Sequence, residues 1–132
     1  FCGEFLYSKS RGRNVSIKQF IMNAQTVVGV GNIYACEALF FSGINPKRSA
    51  SKISRVRYNK LAENIKMVLQ SSIEMGGTTL RDFVNEVGEP GYFKQSLMVY
   101  GRKDEQCTKC DKAISRIVQT GRSTFYCSRC QK

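Results

Sequence analysis

The sequence predicts a mainly α-helical chain that ends in a small β-hairpin zinc finger. Three observations predict it. Apolar residues recur at helical spacing from Ile17 to Ile73, glycines and a proline punctuate residues 76–96, and two C-x-x-C pairs, Cys107/Cys110 and Cys127/Cys130, close the chain with sixteen residues between them. At 132 residues this is one domain of ordinary size, or a helical domain followed by a metal-stapled one, and only the first part has the apolar content for a core.

Ser16 and Gln19 have the S-x-x-Q form of a capping box, with Ile17, Phe20, Ile21 and Ala24 following at helical spacing, so a first helix is expected over about 16–25. Val27-Val28-Gly29-Val30-Gly31-Asn32 breaks that pattern. Ile33, Ala35, Cys36, Ala38, Leu39, Phe40 and Phe41 resume it in a second helix that Gly43 and Pro46 stop. Ser51 or Ser54 then caps a long amphipathic helix carrying Ile53, Val56, Leu61, Ile65, Val68, Leu69 and Ile73 on one face, ended by Gly76-Gly77. Residues 76–96 read as a long loop with short helical pieces, punctuated by Gly76, Gly77, Gly88, Pro90 and Gly91. Residues 97–100 read as a short strand leading to the hairpin, where Ile114, Ile117 and Val118 precede a Thr120-Gly121 turn and Phe125-Tyr126 follow it.

The cysteine spacing has a physical reading. A structural zinc ion takes four tetrahedral ligands, and two residues between cysteines let a tight turn aim both sulfurs at one ion, so Cys107, Cys110, Cys127 and Cys130 are the expected ligands. Two disulfides are the alternative, with nothing in the sequence to suggest secretion and the remaining cysteines, Cys2 and Cys36, far away.

Charge points to a partner. Lys and Arg number 21 against 10 Asp and Glu, for a formal charge of +11, and a bound zinc with four thiolates leaves about +9. Lys9, Arg11, Arg13 and Lys18 fall in one run without an acid, and Lys47, Arg48, Lys52, Arg55, Arg57 and Lys60 in another. Such runs favour a polyanion, most simply nucleic acid, and otherwise serve as a solvated basic face. No apolar run approaches the roughly 20 residues that span a bilayer and Phe1 opens no signal-peptide pattern, so a soluble intracellular protein is expected.

Groups able to do chemistry are few. With no histidine, neither a Ser-His-Asp triad nor a histidine-metal site can be built. Glu37, Glu74 and Asp82 are expected at a helix surface or loop, where carboxylates are ordinarily solvated. The Gly29-Val30-Gly31-Asn32 turn offers either a plain turn with Asn32 as N-cap or free backbone N–H groups suited to a phosphate. Near the hairpin turn, Arg122 either clamps phosphates or enters a minor groove, or is an ordinary exposed arginine.

Taken together, VVGVGNIYACEALFFSGINP, SSIEMGGTTLRDF, GYFKQSLMVYGR and the terminal cysteine pattern closely resemble the C-terminal half of bacterial formamidopyrimidine-DNA glycosylase, over nearly the whole chain. The resemblance implies a helix-two-turns-helix helical domain over 1–98, which includes the 76–96 loop, and a β-hairpin zinc finger over 99–132. It implies that Asn32 and Arg122 contact DNA phosphates beside a lesion, that Lys18 lies near the lesion, and that Tyr100 meets the phosphate backbone. Thr78, Leu80, Arg81, Asp82, Phe83 and Val84 then belong to a lid over an everted oxidised purine, the plainer reading being a helix C-cap and surface loop. The implied ion is one structural zinc. The implied setting is a monomer in a bacterial cytoplasm, acting on double-stranded DNA with an oxidised purine or abasic site, with no membrane partner.

The family's enzyme excises 8-oxoguanine and ring-opened purines and then cleaves the strand, using an N-terminal proline amine as nucleophile. Here the sequence starts at Phe1 and its first proline is Pro46. The β-rich catalytic domain is therefore expected to be absent, leaving a segment that binds DNA without cutting it. Three other readings stand beside this one: the related endonuclease VIII branch acting on oxidised pyrimidines, a stand-alone zinc-ribbon nucleic-acid-binding module, and a purely structural zinc-stapled interaction domain.

Overall fold

The computed structural model describes residues 2–23, 30–74 and 97–132. Four α-helices, α1 (Gly3–Ser10), α2 (Ile17–Met22), α3 (Asn32–Ser42) and α4 (Arg55–Glu74), are followed by an antiparallel hairpin of β1 (Ser115–Gln119) and β2 (Arg122–Tyr126). The mainly helical fold with a terminal hairpin is as expected. The 76–96 loop and its lid residues lie outside the described residues, as do positions 24 and 25 of the first expected helix. Among the described residues, no helix is long and apolar enough to cross a membrane.

Ser16 starts α2 by accepting the Gln19 N–H on its hydroxyl at 3.2 Å, half of the anticipated capping box. α3 begins differently from the expectation that made Asn32 a cap. Gly31 is the N-cap, with no side-chain bond, and Asn32 is the first helical residue, its amide free for use elsewhere. The end of α3 is a left-handed glycine: Gly43 has φ +69, and the next N–H, of Ile44, returns to the Leu39 carbonyl at 3.0 Å, a conformation that glycine adopts at least cost. Ser54, not Ser51, caps α4, accepting the Arg57 N–H at 3.2 Å. Ser51 lies instead in a 3-10 turn, Ala50–Lys52.

Helix α1 was not legible in the sequence. Its apolar residues Phe5, Leu6 and Tyr7 are consecutive, so no helical period announces it, and packing against α4 makes it helical. The main core gathers Leu6, Ile17, Phe20, Ile21, Ala35, Leu39, Ile44, Ile53, Tyr58, Leu61, Ile65 and Val68 between the helices. Tyr58, fully buried, donates its hydroxyl to the Ala50 carbonyl at 2.6 Å. Val56, expected on the buried face of α4, is 76% exposed. It stands five residues from Leu61 and nine from Ile65, offsets that turn it away from their stripe at 100° per residue.

A second, smaller core joins Cys36 and Phe40 of α3 to Val99, Ile114, Phe125 and the cysteines Cys107 and Cys127. The hairpin pairs Ser115 with Tyr126 through to Gln119 with Arg122. Thr120 and Gly121, at φ 53 and 76, make the two-residue turn with both central residues left-handed that matches strand twist. Residues 97–100 are not the expected strand but a turn, because a carboxylate from α3, not a neighbouring strand, takes their N–H groups.

Hydrogen bonds join the two cores at the C-terminal end of α3. The Lys132 N–H and the Arg57 guanidinium both donate to the Gly43 carbonyl, at 2.9 and 2.8 Å. The Gln131 amide donates to the Ile44 carbonyl at 3.0 Å while its oxygen accepts the Cys127 N–H at 2.8 Å.

Candidate nucleic-acid interface and metal centre

Strand β2 brings the sequence-nominated polar residues together. Its Ser123 carbonyl accepts the Asn32 Nδ2 amide at 2.9 Å and lies 3.4 Å from the Lys18 Nζ, which donates more strongly to the Thr124 hydroxyl at 2.6 Å. Lys18 comes from α2 and Asn32 from the first turn of α3, so residues 91 and 105 positions away in sequence meet on one carbonyl. Arg122, one residue before that carbonyl, is exposed at the hairpin end. Lys18, Gln19, Met22, Asn23, Gln119, Thr120 and Arg122 line a cleft of about 310 Å³.

The electrostatics of the cleft favour an anion. Lys18 is 2% exposed, and desolvation holds its ammonium below the usual lysine range, with the Arg122 charge adding to the effect and Cys36 opposing it. No carboxylate bonds Lys18 among the described residues, so its charge is met only by a hydroxyl and a carbonyl. The Asn32 amide has a second N–H to offer, since one suffices for Ser123. Two buried acceptors, Asn32 Oδ1 and Gln119 Oε1, have no partner among the described residues. Gln119, which composition did not single out, pins the hairpin end to the loop after α3 by donating to the Pro46 carbonyl at 3.2 Å. Tyr100, the remaining nominated residue, sits apart from the cleft, its ring edge-on to Phe125 at 4.9 Å between centroids.

Glu37 corrects the expectation of a solvated carboxylate. It is 2% exposed and accepts three consecutive backbone N–H groups, from Met98 at 2.7 Å, Val99 at 2.9 Å and Tyr100 at 3.1 Å. Burial pushes its pKa up, and the three amides and Arg102 pull the other way. The signal was present in the sequence as a single acid inside an otherwise apolar helical run, ACEALFF, where an ionisable group is buried only with partners.

The four terminal cysteines form the metal centre. Their sulfurs all lie within 4.8 Å of one another, with Cys107 and Cys130 at 3.8 Å and Cys110 and Cys127 at 3.4 Å, free thiols rather than disulfides. A tetrahedral ion with sulfurs at about 2.3 Å places those sulfurs about 3.8 Å apart, so the cluster has the right size for zinc. Each pair forms a knuckle in which a backbone N–H points at the first sulfur, from Lys109 to Cys107 and from Cys130 to Cys127, both at 3.4 Å. Desolvation and then the three neighbouring thiols push Cys130 up to about 12. Four thiolates therefore need a cation among them. One structural zinc held by Cys107, Cys110, Cys127 and Cys130 supplies folding free energy, and four protein ligands leave no open position for a reacting water.

Comparison with known proteins agrees with both parts. Residues 1–84 match the family described as formamidopyrimidine-DNA glycosylase H2TH domain, and residues 104–132 match a zinc finger found in FPG and IleRS. The chain is 56% identical over 131 residues to the formamidopyrimidine-DNA glycosylase of Vesicomyosocius okutanii, covering 99% of this chain and 49% of that protein. It is 54% identical over 132 residues to that of Alcanivorax borkumensis, again covering 49% of the relative. The chain thus spans about half the length of the curated relatives it matches. Among solved structures, Lactococcus lactis Fpg in complex with DNA containing an abasic site superposes with a TM-score of 0.86 at 30% identity, over 100% of this chain and 48% of that one. MutM (Fpg) from Thermus thermophilus gives 0.86 at 32%, over 98% and 50%. With well over half of its residues matched, the chain belongs to the formamidopyrimidine-DNA glycosylase H2TH domain family.

Proposed function

We propose that this chain is the DNA-binding C-terminal part of a bifunctional DNA glycosylase and abasic-site lyase of base excision repair that removes oxidised purines, with residues 1–98 as its helical unit and 99–132 as its zinc finger. The observation that carries the reading is the convergence of Lys18, Asn32 and Arg122 on the start of β2. A cation held at low solvent exposure and an exposed guanidinium line one cleft, and an amide with an N–H to spare meets the same stretch of β2 at the Ser123 carbonyl, a donor set suited to adjacent phosphate oxygens. Tyr100 supports the hairpin through Phe125 and meets the backbone farther along. The lid over the everted base, residues 78–84, rests on the sequence resemblance. Support for a damaged-DNA ligand comes from relatives: the Lactococcus lactis protein is bound to DNA with an abasic site, and a MutM is bound to DNA containing carbocyclic 8-oxo-G.

In this reading the excision chemistry uses a proline amine that these 132 residues do not supply, their prolines being Pro46 and Pro90. Fluorescence anisotropy with a duplex carrying an abasic-site analogue tests the binding half. Saturable binding that weakens as salt rises is expected, reduced about tenfold by Asn32→Ala or Arg122→Ala, the loss of one charge-assisted contact. Unchanged affinity in both variants rejects the interface. Borohydride trapping on an 8-oxoguanine duplex tests the other half, with no covalent complex expected. Excision of 8-oxoguanine against thymine glycol by a protein with the catalytic domain joined separates the purine from the pyrimidine branch.

A further inference from the structure

We infer that Glu37 is the positioning residue of the interface: its buried carboxylate fixes Tyr100 and the hairpin relative to Asn32. The inference rests on the DNA-binding reading above and assigns a role to a residue outside the cleft.

Glu37 and Asn32 share helix α3, so whatever Glu37 holds keeps register with Asn32. What it holds is a turn, residues 98–100, through all three of its consecutive N–H groups. Such a turn has no ladder of its own to satisfy those donors, and without the carboxylate they would be buried and unpaired. The carbonyl side of the same turn is held by Arg102, whose Nη1 donates to Leu97 and Met98 at 3.3 Å each, while its Nε bonds Glu105 at 3.0 Å. Tyr100 leaves this turn to pack on Phe125 of β2, two residues after the carbonyl that receives Asn32, and shares the buried Leu97 as a packing partner with Ile33 and Tyr34, the residues following Asn32. A closed loop results: Asn32 to β2, β2 to Tyr100, Tyr100 to Glu37, Glu37 to Asn32. No group in it can shift alone.

The test is a double-mutant cycle on affinity for the abasic-analogue duplex, with amide hydrogen exchange as a second readout. Glu37→Gln keeps the reach but places an NH2 donor against an N–H. We expect about a tenfold loss of affinity with zinc content unchanged, the same loss in Tyr100→Ala, and no further loss in the double variant. We also expect the amides of 98–100 to exchange faster. Additive losses, or no loss with Glu37→Gln, overturn the inference, as do unaltered exchange rates. If Glu37→Gln does not fold, Arg102→Gln releases the same turn from its other side and should give a smaller loss that also vanishes beside Tyr100→Ala; an additive loss there counts against the inference equally. A parent chain that binds no DNA defeats the proposed function instead, and the exchange readout then decides the anchoring role by itself.

Discussion

The helical part and the hairpin part of this chain are held by different forces. In the first, sixteen buried residues from four helices and the segments leading into α3 and α4 exclude water from one another. The second buries seven, two of them metal-binding cysteines and a third the Cys36 that α3 lends it, too little apolar surface for independent stability. Burial fixes the helices, while a metal and a few backbone hydrogen bonds fix the hairpin. The proposed interface needs both, because Lys18 and Asn32 stand on one part and Arg122 on the other. Perturbations should therefore separate two stabilities and converge on one function.

The sharpest break is removal of the metal. Structural zinc is worth about 10–16 kcal/mol in small zinc-dependent folds, so chelation, or Cys110→Ser, should unfold the hairpin outright. The helices should remain, since most of their core contains no zinc ligand. Far-UV circular dichroism should keep its helical signal while affinity for an abasic-analogue duplex falls below detection. Loss of helix together with the hairpin would show that the division is wrong.

Next in size is the opposite break. Ile65 is fully buried at the centre of the α4 stripe, and truncation of such a side chain costs about 2–5 kcal/mol through lost burial and the cavity left behind. Ile65→Ala should lower the helical melting transition by that amount. Zinc stoichiometry, measured below the melting point with a zinc-sensitive colorimetric chelator after the thiolates are blocked, should stay at that of the parent. Partial zinc loss below the transition would mean that the hairpin depends on the helical core more than its own contacts suggest.

The same contrast explains what was legible in the sequence. Periodicity reports burial against a single face, so α2, α3 and α4 could be read from Ile17 to Val68, and ligand spacing reports a metal, so the cysteine quartet could be read as well. α1 could not, because its apolar residues are consecutive and only tertiary packing orders them. The 97–100 turn read as a strand because its alternation of Leu97 and Val99 into the interior has the same period in either conformation. What decides between them is Glu37, 61 to 63 positions away, and a partner at that distance leaves no local trace. Turn position and resemblance point to Asn32 and Arg122 in the sequence. Their meeting through Ser123 and Lys18 is a tertiary fact.

The smallest effect concerns Lys18, one of the residues that join the two parts. Desolvation holds its pKa below that of an ordinary lysine, so in the folded chain it loses its proton at a pH where an unfolded lysine keeps it. Two consequences of opposite sign follow in that alkaline window. The unfolded state binds the extra proton, so stability rises with pH between the folded and unfolded values. Phosphate attraction falls over the same interval, because the neutral amine still donates to Thr124 but no longer offers charge. Affinity for the abasic-analogue duplex should drop a few-fold, about the worth of one screened phosphate contact, while the melting temperature climbs. Lys18→Gln should remove that limb of the affinity profile and leave a uniformly weaker, flatter curve. Affinity and stability that move together in the parent, or an alkaline limb that persists in Lys18→Gln, would assign the titration to another group and leave Lys18 as a structural tie between α2 and β2.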